Sequence, residues 1–141
     1  MKHEFETKVY YADTDAYGVV WHGTYLRWME RGRVDFCAKL GLDLVEMKKC
    51  DVLMPVTNMN VRYKSSAKLD EEITIETTCE IVNSFLIRFK QKIKSKETQK
   101  IHIDATFDVV AVNSEGKMYR KIPEQFMQKL ERGLETCPQP V

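Results

Sequence analysis

Two carboxylates and a histidine lie close together in the run Tyr11-Ala12-Asp13-Thr14-Asp15-Ala16-Tyr17-Gly18-Val19-Val20-Trp21-His22-Gly23-Thr24-Tyr25. Side chains of these kinds can deprotonate a water, attack a carbonyl carbon or bind a metal. A helix starting at the end of the run would add unbonded peptide N–H groups and the positive end of its dipole. The residues alone leave two roles open for Asp13 and Asp15: closing a turn through Asx bonds to nearby backbone, or holding a carboxylate free for chemistry. Metal binding is the weaker chemical reading, because one histidine and two acids have no further ligand at helical spacing.

The elements on either side must position this run. Phe5 to Tyr11 is rich in β-formers and predicts a strand that stops at the acids. From Thr24 to Leu40 the period becomes helical, with Tyr25, Met29, Gly32, Phe36 and Leu40 on one stripe; Thr24 can cap its start and Gly41 can end it. Gly32 costs about 1 kcal/mol relative to alanine in a helix interior, so its place on the apolar stripe predicts a very close neighbour. Asp43 to Lys49 reads as a short helical or irregular piece.

Strand-like sequence fills the rest of the middle. Val52 to Tyr63 carries Pro55, which puts its first part at an edge or bend. Ile73 to Val82 and Phe85 to Ile93 alternate on either side of a two-residue turn candidate, Asn83-Ser84, and read as a hairpin. Ile101, Ile103, Ala105, Phe107 and Val109 share one face of a further strand, which leaves His102, Asp104, Thr106 and Asp108 on the other and predicts an exposed His102. Asn113 to Gly116 turns the chain, Met118 to Lys121 can add a short strand, and Pro123 opens a terminal helix with Phe126, Met127, Leu130 and Leu134. Residues 136–141 read as a loose tail. One long helix and one large antiparallel sheet make an α+β chain in which the helix buries its stripe on the concave face of the sheet, the geometry of the hot-dog fold.

A chain of 141 residues with 43% hydrophobic and 30% charged residues fits one globular domain. A net charge of +1 gives no global reason to expect nucleic-acid binding. No window approaches the roughly 18 apolar residues of a spanning helix, so no membrane insertion is expected. Cys37, Cys50, Cys79 and Cys137 have no C-x-x-C spacing and point to free thiols in a reducing cytoplasmic compartment.

The run Val9 to His22, followed by Tyr25-Leu26 and Glu30-Arg31-Gly32-Arg33, resembles the hot-dog acyl-CoA thioesterases, and among them the 4-hydroxybenzoyl-CoA thioesterase type that includes the thioesterases associated with the Tol-Pal system. Tyr63 to Ile73 continues the similarity, which covers about residues 5 to 110. The sequence departs from the family at Ala12, where a polar or acidic residue is common, and at Ser65-Ser66, where the family has a proline-containing turn. The resemblance implies that Asp15 is the catalytic carboxylate, as nucleophile or general base, and that the His22 N–H donates to the thioester carbonyl while its imidazole supports. Asp13 is then loop scaffold.

Tyr17, Gly18, Val20, Trp21, Tyr25 and Met29 are the implied acyl-side contacts. Arg62 and Lys64, with Lys68 and Arg88, are the cations available to the nucleotide of coenzyme A. Glu30 is expected to pair with Arg33 or across a subunit interface. Neither metal nor cofactor is implied, coenzyme A being part of the substrate. The resemblance also implies homodimers joined edge to edge, and a homotetramer above them. The alternatives are an acyl-ACP thioesterase or a hydratase on the same scaffold, and a non-catalytic acyl-CoA sensor.

Overall fold

The structure, a computed structural model, describes residues 1–135. Its elements run β1 (His3–Lys8), a 3-10 turn (Tyr11–Asp13), α1 (His22–Lys39), α2 (Leu44–Lys49), β2 (Val56–Tyr63), β3 (Glu72–Ile81), β4 (Ile87–Ser95), β5 (Ile101–Val109) and α3 (Glu124–Glu135). The strands form one antiparallel sheet in the order β1-β3-β4-β5-β2, with α1 packed on its inner face. This is the hot-dog arrangement expected from the pattern of elements.

Register decides what α1 meets. Ile75 pairs with Ile93, Thr77 with Gln91 and Cys79 with Phe89, and the rows continue into β5 through Ile103, Ala105 and Phe107. These residues share a face because side chains alternate along each strand. Tyr25, Met29, Gly32 and Phe36 of α1 are buried against that face, and Phe36 meets Phe89 edge-on with ring centroids 5.8 Å apart. Each large apolar side chain so enclosed contributes about 1.5–3 kcal/mol. Close approach at Gly32 is confirmed: a Cβ there would lie 2.6 Å from Thr77 Oγ1.

Several sequence expectations shift. The first strand ends at Lys8 rather than Tyr11 because Asp13 Oδ2 accepts the Tyr10 N–H at 2.9 Å and curls the chain into the 3-10 turn. Helix α1 begins at His22 with Trp21 as its cap residue, and no side chain caps it. Thr24 is therefore inside the helix, its hydroxyl donating to Asp13 O at 3.1 Å instead of capping. The β3–β4 connection is longer than two residues, since Val82 N bonds Leu86 O and the Asn83 side chain accepts from Phe85 N and Leu86 N. Met118 makes only an isolated bridge to Val112. Gly41 ends α1 with φ +79°, as expected of a left-handed stop. The expected tail, 136–141, lies outside the described residues.

His3 is buried beside the end of α1, and its Nδ1 has no hydrogen-bond partner among the described residues. Burial, and then the Lys39 charge, push its pKa below the ordinary 6.5. The folded chain thus holds this ring neutral where the unfolded chain takes up a proton. Stability is complete above the unfolded value and is lost as pH falls from there toward the lowered folded value. Urea midpoints measured at about pH 8 and about pH 5.5 should fall further for the native chain than for His3→Phe. Equal falls would show that His3 is not the group responsible.

Candidate active site

The acidic run forms a small hairpin. Asp15 N donates to Val19 O at 2.9 Å, Gly18 N donates to Asp15 O at 3.0 Å, and Thr14 bridges Val20. Gly18 makes this possible with φ +78°, a left-handed conformation that a side chain resists. Asp15 is half-buried at the start of the hairpin, and its Oδ1 accepts the Tyr17 N–H at 2.8 Å. Among the described residues its Oδ2 has no hydrogen-bond partner, so one carboxylate oxygen remains open to a ligand.

Asp13 is used differently. Its carboxylate closes the 3-10 turn, while its carbonyl accepts from Trp21 N at 2.9 Å and from the Thr24 hydroxyl. Asp13 thus clamps the entry of α1. The outgoing arm of the hairpin leads straight into that entry, where the peptide N–H groups of His22 and Gly23 have no acceptor among the described residues. An uncapped helix start points these donors and the positive helix end at whatever occupies the site. The His22 ring is exposed and lies against Trp21 with centroids 5.1 Å apart, and its carbonyl accepts from the Tyr63 hydroxyl at 3.1 Å.

The other expected contacts separate into two groups. Tyr17 and Trp21 are exposed, and Gly18 is at the hairpin tip. Val20, Tyr25 and Met29 belong to the core, Met29 with no exposed surface. Tyr25 has a second duty: its hydroxyl accepts the Ala67 N–H at 2.9 Å, and burial raises its pKa so that it stays neutral. Arg62 and Lys68 are exposed, and Lys64 reaches Asp104 at 4.0 Å. Arg88 is instead committed to Asp108 through bonds of 2.7 and 3.2 Å, which hold the Asp108 carboxyl below its usual range. Arg33 forms no ion pair with Glu30 among the described residues; it bonds Gln91 at 3.0 Å and lies over the Phe107 ring.

His102 is not exposed: only 3% of its surface is accessible. Its Nδ1 is 2.7 Å from Ser65 Oγ, and its Nε2 bonds the Glu71 carboxylate. Strand parity predicted an outward, exposed ring, but the register slips here: Ile93 pairs with Ile103 and Lys94 with Ile101, which leaves His102 as the extra residue, and the β2–β3 turn bonds it from both ends. The two serines followed by Asp70-Glu71-Glu72 were the available signal, a polar turn able to receive a histidine.

An apolar cavity of about 280 Å³ lies away from Asp15, between the second half of α1, the start of β2 and α3. Arg33, Val34, Met54, Val56, Phe89 and Leu130 are among its lining residues. The acidic hairpin contributes nothing to its wall. Among the described residues no three His, Cys, Asp or Glu side chains gather as a metal site would require.

Comparison with known proteins places the chain among relatives. Residues 9–130 match the family described as the thioesterase-like superfamily. The acyl-CoA thioesterase YbgC of Haemophilus influenzae is 33% identical over 90 residues, 63% of this chain and 66% of that protein. The acyl-CoA thioester hydrolase YbgC of Escherichia coli O6:H1 is 28% identical over 125 residues, 89% of this chain and 92% of that one. A crystal structure of a DHNA-CoA thioesterase from Staphylococcus aureus is 26% identical, with TM-score 0.83, covering 99% of this chain and 97% of its own.

Proposed function

This chain belongs to the thioesterase-like superfamily, and from that premise we propose that it hydrolyses acyl-CoA thioesters at the Asp15 hairpin. The observation that carries the reading is an open Asp15 carboxylate oxygen on the incoming arm of the hairpin together with unbonded N–H groups of His22 and Gly23 in the first turn of α1, into which the outgoing arm runs. The enzyme is a thioester hydrolase. The finer assignment to the 4-hydroxybenzoyl-CoA type is part of the proposal and rests on the run from Val9 to His22.

A thioester needs little acid catalysis, because a thiol of pKa about 8.5 leaves readily. The helix-mouth donors bind the carbonyl oxygen as it gains charge. Asp15 attacks the carbonyl carbon and expels the coenzyme A thiolate, leaving an acyl-Asp15 anhydride that water hydrolyses, or it removes a proton from a water that attacks directly. Either way one water is consumed and the products are the carboxylic acid and free coenzyme A. No metal or further cofactor takes part. Arg62, Lys64 and Lys68 are the cations left for the nucleotide, and three free thiols among the described residues, Cys37, Cys50 and Cys79, fit a cytosolic location. No helix among the described residues is long and apolar enough to cross a membrane.

The site needs a second copy. Strand β2 is an outer strand of the sheet, and Val56, Met59 and Tyr63 are exposed along it. A two-fold pairing of β2 with itself is antiparallel, so the Val56 end of one strand lies beside the Tyr63 end of the other. That operation carries the apolar cavity of one protomer toward the His22 and Asp15 of its partner and gives the acyl group a pocket.

The test is to follow thiol release from benzoyl, short-chain and long-chain acyl-CoAs while measuring mass in solution for the native chain and Met59→Lys. The native chain should turn over at least one substrate with a mass at least twice 16.5 kDa. Met59→Lys, with its charge on the pairing edge, should be monomeric and should lose activity together with assembly. A fully active monomer would remove the partner from the site, and tight binding without turnover would favour the sensor.

A further inference from the structure

We propose that His102 is a positioning residue for the Asp15 site, acting through the turn between β2 and β3. The proposal rests on the functional reading above. His102 is a buried residue of β5 whose ring and backbone both grip that turn. At one end, the Lys64 and Ser65 N–H groups donate to His102 O at 2.8 and 3.3 Å, and Ser65 Oγ lies 2.7 Å from Nδ1 and 2.9 Å from Ile101 O. At the other end, Nε2 bonds the Glu71 carboxylate. One side chain therefore closes both ends of residues 65–71.

What that span holds at its middle is the site. Ala67 O accepts the Val20 N–H at 3.0 Å, Ala67 N donates to the Tyr25 hydroxyl at 2.9 Å, and Lys68 bridges Val19. Val19 and Val20 form the outgoing arm of the Asp15 hairpin, with Val19 O bonded to Asp15 N, and they run directly into the helix start at His22. A sideways shift of Ala67 therefore moves the carboxylate and the peptide donors relative to each other.

The turn begins with Ser65-Ser66 and contains no proline. Proline would restrict the backbone by itself, whereas a serine pair does not. The bonds from His102 provide the restriction instead. Removing the ring leaves the Glu71 carboxylate without its inner partner and Ser65 Oγ with Ile101 O alone, and the span between them gains freedom.

A role confined to stability would lower the unfolding midpoint and leave the folded enzyme's rate alone. A positioning role reduces kcat in the folded protein, because an error of about 1 Å in reacting groups costs on the order of 100-fold. The experiment uses the full chain and compares it with His102→Gln, Ser65→Ala, Ser65→Thr and Glu71→Gln at urea-free conditions where each is folded. It reads kcat and KM for a turned-over acyl-CoA, and backbone hydrogen exchange at Val20 and Ala67.

His102→Gln and Ser65→Ala should lose roughly 10- to 100-fold in kcat with KM within about twofold. Exchange at Val20 and Ala67 should quicken while exchange in β3 and β4 stays slow. Ser65→Thr keeps the hydroxyl and Glu71→Gln keeps an acceptor, so both should retain most of the rate. Native kcat in His102→Gln and Ser65→Ala, or unchanged exchange at Val20 and Ala67, would overturn the proposal. Should the native chain turn over no substrate, the functional reading fails, and exchange alone decides whether His102 holds the hairpin. If His102→Gln does not fold, Ser65→Ala decides both readouts.

Discussion

Asp15→Asn should fold normally and lose on the order of 100- to 10,000-fold in kcat, the usual contribution of a positioned carboxylate. The substitution is chosen for what it leaves in place. Asp15 Oδ1 accepts the Tyr17 N–H at 2.8 Å, and an asparagine side-chain oxygen can accept the same bond, so the hairpin keeps its closure. What disappears is the charge and basicity of the oxygen that faces the site. KM should change little, because the N–H groups at the start of α1 and the cations proposed to meet the nucleotide are untouched.

Asp15→Ala removes the turn bond as well and should be less stable than Asp15→Asn, by about 0.5–1.5 kcal/mol for one ordinary hydrogen bond. Thiol release and urea unfolding on the two variants separate chemistry from scaffold. Equal kcat in Asp15→Asn and the native chain would sink the assignment and return attention to His22 and Glu71. Residual turnover above the uncatalysed rate is expected, since the helix-mouth donors act without the carboxylate.

The same hairpin shows how much a sequence discloses and where it stops. Alternation in Ile101 to Val109 gave the right strand, and helical spacing from Tyr25 to Phe36 gave the right buried stripe, because both follow from local geometry repeated along the chain. The start of α1 was two residues off because it lacks a side-chain cap, the feature by which helix starts are recognised. Asp13 and Asp15 could be told apart only through family resemblance; in the structure their carboxylates bond different backbone groups.

The cations illustrate the limit more sharply. Arg88 and Arg62 look alike in sequence, yet one is consumed by Asp108 twenty residues away and the other has no ion-pair partner among the described residues. His102 was misplaced for the same reason. Its partners Ser65 and Glu71 are 37 and 31 residues distant, and only the folding of the β2–β3 turn over β5 brings them to one ring. Local pattern fixes the face of a side chain only where the ladder is regular, and the register slips at the start of β5. What waits there is a property of the tertiary fold.

Gly32 is the place where local cost and tertiary need are most directly opposed, and the opposition makes a second large prediction. Glycine in mid-helix forfeits about 1 kcal/mol relative to alanine, so an isolated helix would gain from Gly32→Ala. Here the added Cβ would lie 2.6 Å from Thr77 Oγ1, 2.9 Å from Gln91 Nε2 and 3.3 Å from Ile75 Cγ2. Gln91 cannot step aside freely, because Nε2 donates to Met29 O at 2.8 Å and to Thr77 Oγ1 at 2.9 Å while Oε1 accepts from Arg33. Displacing it strands buried polar atoms at about 1–3 kcal/mol each, and overpacking adds a similar amount.

The net effect for Gly32→Ala should be a loss of about 2 kcal/mol after the helix gain is credited. Gly32→Leu should lose more than about 4 kcal/mol, enough to leave much of the chain unfolded. Urea midpoints of the two variants check this, and an unchanged or raised midpoint for Gly32→Ala would show that α1 does not sit this close to the sheet. The loss should extend to catalysis in whatever fraction of Gly32→Ala folds. The helix that Gly32 lets down onto the Thr77 and Gln91 row is the one whose first turn supplies the N–H groups at His22, so lifting its middle re-aims its start relative to Asp15.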